Sequence, residues 1–94
     1  MYAKKTTIIN RTGLHARTAN EFVKAAKSFS SEITVKKLDE RGETVKSGSA
    51  KSVVHVVTMI LNKGTPVELT AQGPDEREAV ENLVSLIEEG FNDL

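Results

Sequence analysis

Residues 53–61 read VVHVVTMIL, and the fold turns on how they are read. Their β-branched composition argues for a strand, whereas the apolar positions 53, 56, 57, 60 and 61 fall at helical spacing. Propensity alone favours the strand. Downstream, residues 66–72 (PVELTAQ) alternate, with Val67, Leu69 and Ala71 on one face, and Gly73 closes what reads as the last strand. Pro74-Asp75-Glu76 then puts a proline and two carboxylates at a helix start. Ala79, Leu83, Leu86 and Ile87 recur with helical period up to Gly90, a natural stop. Upstream, residues 47–51 (SGSAK) interrupt the pattern as a loop. Before them, residues 31–38 (SEITVKKL) alternate through Ile33, Val35 and Lys37 as a strand with one buried face, and residues 39–42 (DERG) make a hairpin connection into 43–47. Residues 16–27 carry Ala19, Phe22, Val23 and Ala26 at helical spacing, and residues 4–10 (KKTTIIN) read as a first strand ended by Arg11-Thr12-Gly13. Helices between antiparallel strands point to an α+β two-layer sandwich, one sheet face covered and the other facing water.

The 94 residues suit a single domain spanning 1–94, and a multidomain enzyme is not expected. With 38% apolar residues, three Phe, one Tyr and no Trp, the core must be built from Val, Ile, Leu and Ala. The absence of cysteine removes disulfides, thiolate metal sites and thiol nucleophiles together. No apolar run approaches the roughly 20 residues that span a bilayer, and residues 1–5 lack the apolar stretch of a secretory signal, so a soluble cytoplasmic protein without membrane attachment is expected. The charges cancel overall, but residues 1–51 carry +6 and residues 52–94 carry −6. The basic half could attract nucleic acid or an acidic protein. Since no Lys/Arg run exceeds two, the reading adopted is that the halves fold together and average out.

Chemistry concentrates at residues 12–17, TGLHAR, where a glycine turn and His15 directly precede the first amphipathic helix. The first turn of a helix offers unpaired backbone N–H groups and the positive end of its dipole to an anion. Arg17 adds a forked cation suited to phosphate. Such surroundings favour a neutral imidazole, the form able to attack a phosphoryl group. On spacing alone, His15 could equally cap or pack at the helix entrance.

The run Thr12-Gly13-Leu14-His15-Ala16-Arg17-Thr18-Ala19 resembles the active-site motif of the HPr family, the histidine-containing phosphocarriers of the bacterial sugar phosphotransferase system. Ala50-Lys51-Ser52, followed by an apolar segment, resembles the family's second site, and residues 67–73 with the final helix resemble its closing strand and helix. Two separated motifs in order are more specific than either alone. The resemblance implies an open-faced β-sandwich of βαββαβα order, with four antiparallel strands and three helices on one face, so residues 53–61 are assigned to a helix against propensity. It implies that His15 accepts a phosphoryl group on Nδ1 from enzyme I, charged by phosphoenolpyruvate, and passes it to an enzyme IIA domain. Arg17 and the backbone N–H groups of Ala16 and Thr18 would hold the phosphate. The protein would be a carrier and not a turnover enzyme, expected as a monomer and needing no metal or cofactor.

By the same resemblance, Ser52 corresponds to the serine that an ATP-dependent HPr kinase phosphorylates in many Gram-positive bacteria, and a transcriptional regulator is a further implied partner. Read from the residues, Ser52 is also a good N-cap for a helix that follows it. Val53, Val54 and Val57, with Asn20 on the rim, would form the apolar surface on which partners dock around His15. Val56, Ile60 and Leu61 would be core. His55 falls where the family commonly has a small residue, and nothing around it repeats the arginine and glycine turn at His15. Thr18 stands where the family usually has proline, which should loosen the helix entrance and add a hydroxyl near the phosphate. The connection between Val35 and Ser52 is long for the family. These departures make a paralogue in a regulatory or nitrogen-related branch the alternative to bulk sugar uptake.

Two readings from other classes are weaker. A sheet-face RNA binder stacks bases on aromatics, and the expected strands hold none except Tyr2 at an edge. Acylphosphatase-like hydrolysis needs a glycine-rich phosphate cradle, for which Arg11-Thr12-Gly13 is too slight.

Overall fold

A computed structural model describes residues 1–92. Among them, four strands and three α-helices follow in the order β1 (Tyr2–Thr7), α1 (Ala16–Lys27), β2 (Glu32–Leu38), β3 (Thr44–Ser49), α2 (Val53–Thr58), β4 (Pro66–Gln72) and α3 (Glu76–Glu88), with a 3₁₀ turn over Gly90–Asn92. The strands form one antiparallel sheet in the order β1-β4-β2-β3. This is the open-faced βαββαβα sandwich expected from the resemblance.

Strand alternation decides which face is covered. Ile33 and Val35 of β2 and Val67, Leu69 and Ala71 of β4 are buried against Ala19, Phe22, Val23 and Ala26 of α1 and Ala79, Val80, Leu83, Val84 and Ile87 of α3. The apolar stripe of each helix is therefore matched to one face of the sheet. Phe22 and Phe91 are the largest side chains removed from water.

Several boundaries move for physical reasons. The first strand begins at Tyr2 and ends at Thr7, although Ile8 still donates to Thr65 O (3.0 Å) and accepts from Gly64 N–H (2.7 Å). The third strand takes in Ser47-Gly48-Ser49, where the sequence pattern predicts a loop. Gly48 makes this possible: a Cβ there would lie 2.9 Å from His55 Cβ, so α2 can approach β3 only over a glycine. The hairpin at 39–42 closes as expected. The Asp39 carboxylate accepts from the Arg41 and Glu43 amides (2.9 Å each), and Gly42 takes φ +83°.

The ambiguous segment is helical, as the resemblance required, but only over Val53–Thr58. Ser52 Oγ accepts from His55 N–H (3.3 Å) and Val56 N–H donates to Ser52 O (3.1 Å), so a serine cap starts a helix that the valines would not favour alone. Met59 ends it, and Ile60 follows at φ +55°. That turn corrects the expected core. Val56, Met59 and Leu61 are buried, while Ile60 is 53% exposed.

At the other end of the core, Asp75 joins α3 to the chain entering β2. Its carboxylate accepts from the amides of Ser30 (2.8 Å) and Ser31 (2.9 Å) and from the Ser31 hydroxyl. These bonds, the Ser31 hydroxyl foremost and then the Ser30 amide, hold the Asp75 carboxyl below its ordinary pKa. Glu76 is held low by the Gly73 amide and then by the N-terminal amine, 3.0 Å away.

Candidate functional site

His15 is exposed and occupies the N-cap of α1, with extended backbone (φ −103°, ψ −167°). The chain reaches it through a turn in which Gly13 sits at φ +69°, and a Cβ on Gly13 would stand 2.4 Å from Leu61 O. Only glycine fits both the dihedral and the space. Gly13 N–H donates to Asn10 O (3.1 Å), and Leu14 N–H donates to Leu61 O (2.8 Å), so the turn is moored to the segment leaving α2. Leu14 is buried beneath it. By this mooring, and by the packing of α1 on α2, the sequence motifs at 12–19 and 50–57 come onto neighbouring surface.

The first turn of α1 carries no acidic side chain. Ala16 and Arg17 are exposed there, at the end of the helix where its backbone N–H groups point outward. Arg17 Nη1 forms an i,i+4 ion pair with Glu21 Oε1 at 2.8 Å, and both side chains are largely in water. A pair of this kind contributes about 0.2–0.5 kcal/mol, small enough for a doubly charged phosphate to compete for the guanidinium. Asn20 is exposed, its Nδ2 bonded to Ala16 O at 2.8 Å.

Thr18 differs from the expectation. Its side chain is buried, and its hydroxyl is turned inward, donating to Gly13 O at 2.8 Å and accepting from the His15 amide at 3.2 Å. The hydroxyl therefore serves the turn and does not face a phosphate. Asn10, which sequence reasoning did not single out, is also fully buried, and its Nδ2 donates to the same Gly13 carbonyl at 2.7 Å. A lone asparagine ahead of a glycine turn carries no periodic signal by which it could have been found.

On α2, Ser52 is half-buried at the N-cap, and Val53 is half-buried and packed on the core, which leaves it a smaller share of the surface than expected. Val54 is 69% and Val57 37% exposed. With Ile60, just beyond the helix end, they are the exposed apolar side chains of the segment that packs against α1. His55 is committed elsewhere: its Nδ1 accepts from Ser49 N–H at 3.3 Å, and its ring carbons lie over Gly48.

His15 is exposed at the helix entrance. An open groove of about 970 Å³, lined by residues including Lys37, Arg41, Lys63 and Thr65, contains none of the residues around it. Among the described residues no helix is long and apolar enough to cross a membrane, and no group of three His, Cys, Asp or Glu is placed to hold a metal. The arrangement offers one accessible imidazole on a fixed backbone, beside a cation, helix N–H groups and an apolar surface.

Comparison with known proteins converges on one family. The model described as the PTS HPr component phosphorylation site matches residues 2–89. The chain is 49% identical over 87 residues to the phosphocarrier protein HPr of Haemophilus influenzae, covering 93% of this chain and 95% of that one. It is 45% identical over 89 residues to the HPr of Vibrio cholerae, covering 95% and 98%. The crystal structure of HPr-C-His from Thermoanaerobacter tengcongensis superposes with a TM-score of 0.88 at 39% identity, covering 100% and 99%. The described fold is thus shared, and the chain belongs to the HPr family of phosphotransferase-system phosphocarriers.

Proposed function

We propose that this chain is a cytoplasmic phosphocarrier domain that takes a phosphoryl group on His15 Nδ1 from phosphorylated enzyme I and delivers it to an enzyme IIA domain. The observation that carries the reading is the exposed His15 at the N-cap of α1, on a moored backbone, in a first turn free of acidic side chains. The Nδ1 lone pair forms the nitrogen–phosphorus bond as the donor's bond to phosphorus breaks, and the reverse exchange discharges it. Arg17 and the N–H groups of Ala16 and Thr18 stabilise charge on the phosphoryl oxygens, without help from a metal or cofactor. The openness of the site fits a carrier, because two different partners must bring a reacting atom to the same nitrogen. Val54, Val57 and Ile60, with Val53 and Asn20 at the rim, supply the surface on which they dock, one carrier monomer at a time.

Ser52 is the regulatory position in this reading. A phosphate added there by an HPr kinase, and removed by the matching phosphorylase activity, would place about two negative charges beside Val53 and Val54, weakening docking of enzyme I and offering a charged feature to a transcriptional regulator.

Transfer is tested by incubating phosphoenolpyruvate, enzyme I, this chain and an enzyme IIA domain, then weighing each protein by intact mass. Phosphorylation of the enzyme IIA domain only when the chain is present supports the carrier reading. An enzyme IIA domain left unmodified beside a phosphorylated chain contradicts the delivery step.

A further inference from the structure

We infer that the Thr18 hydroxyl and the Asn10 side chain form a clamp that positions His15 for phosphoryl transfer. The clamp closes on one atom, the carbonyl oxygen of Gly13, which accepts from Asn10 Nδ2 at 2.7 Å and from Thr18 Oγ1 at 2.8 Å. Both side chains are fully buried. The Thr18 hydroxyl has one proton, spent on Gly13, so its lone pair faces the His15 amide and accepts from it at 3.2 Å. A directed chain results, from His15 N–H to the Thr18 hydroxyl to the Gly13 carbonyl, and each bond polarises the next.

The clamp completes the fixation of the reacting residue. Gly13 N–H is held by Asn10 O, Leu14 N–H by Leu61 O, and His15 O by the Ala19 amide at 2.7 Å. With the Gly13 carbonyl and the His15 amide pinned by Asn10 and Thr18, the backbone from 13 to 15 has little freedom left, while the imidazole is exposed. Catalysis by positioning needs this division between an immobile frame and a reachable nucleophile. Threonine is therefore an alternative solution at a place where proline would fix the helix entrance through its ring: here a buried hydroxyl does so through hydrogen bonds. The Thr18 hydroxyl and the Asn10 side chain touch no transferred atom, so in this clamp they act by positioning.

The inference rests on His15 being the phosphoryl acceptor, and the test separates the two. Thr18→Ser keeps the hydroxyl, Thr18→Ala removes it, and Thr18→Val removes it while keeping the shape. Transfer from phosphorylated enzyme I is measured for each, with rates corrected for the folded fraction. Thr18→Ala and Thr18→Val are expected to lower kcat roughly tenfold at unchanged KM, because the docking surface on α2 is untouched, and Thr18→Ser to remain within about twofold of the parent. The Ser-against-Ala comparison stands even if the valine variant fails to fold. Backbone order parameters at 13–15 should fall in Thr18→Ala and hold in Thr18→Ser. A parent protein that accepts phosphate with Thr18→Ala its equal in kcat overturns the clamp alone. A parent protein that accepts none overturns both the acceptor reading and this inference.

Discussion

Ile60 shows how a single residue can be misplaced by pattern and placed by backbone. A β-branched side chain at φ +55° is a strained arrangement, with a cost of about 1–2 kcal/mol relative to right-handed geometry. The strain turns the chain after α2, which swings Ile60 outward and lets Met59 and Leu61 fill the core on either side. Nothing in a row of apolar letters signals a positive φ at an isoleucine, so position 60 was not legible in the sequence. Gly13 and Gly42 were, because glycine before an expected element advertises such a turn. Replacing Ile60 by glycine should relieve the strain at little loss of burial, partly offset by the entropy of glycine in the unfolded chain. We expect Ile60→Gly to raise the urea midpoint, equivalent to a gain of up to about 1 kcal/mol. A lowered midpoint would show that Ile60 packs more than its exposure suggests.

Among the elements, α1 and α3 were legible because their stripes are long enough to fix a period, and β2 and β4 because their alternation is strict over the covered face. Residues 53–61 were not. Their composition favours a strand, and the helix exists because Ser52 caps it, a local fact, and because Gly48 admits it against β3, a tertiary one. The resemblance to a family supplied what periodicity could not. The motifs name His15, Arg17 and Ser52 as candidates, whereas the hydroxyl of Thr18, expected close to the phosphate, is turned into the core. Its inward turn follows from its place as the third residue of α1, where a short polar side chain can accept from the N-cap amide.

At the scale of the whole molecule, the opposite charges of the two ends of the sequence meet across β1 and α3. The N-terminal amine pairs with Glu76 at 3.0 Å, Lys4 Nζ with Glu81 at 2.9 Å, and Tyr2 donates to Glu81 as well. Hydrogen bonds from Tyr2 and then Lys4 hold Glu81 below its ordinary pKa, as those from Ser31 and Ser30 do for Asp75. A carboxyl whose folded pKa is depressed binds fewer protons folded than unfolded in the window between the two values. Its stabilisation is present above the unfolded value, near 3.9 for aspartate, and is lost as pH falls through the folded one. The melting temperature should therefore decline as pH drops below about 4. Asp75→Asn should melt lower at neutral pH and lose less on acidification, read by circular dichroism from pH 7 to pH 2. An equal decline in both proteins would remove Asp75 from the account of acid stability.

These scales converge on a fixed backbone beneath an exposed imidazole, and phosphorylation of that imidazole is the central claim. The most direct measurement incubates the protein with phosphoenolpyruvate and enzyme I and follows intact mass before and after mild acid. One acid-labile phosphate is predicted, absent from His15→Ala, which should keep the circular dichroism of the parent because the side chain lies at an exposed helix entrance. An unmodified parent protein beside an active enzyme I control, or a phosphate that persists in His15→Ala, would contradict it.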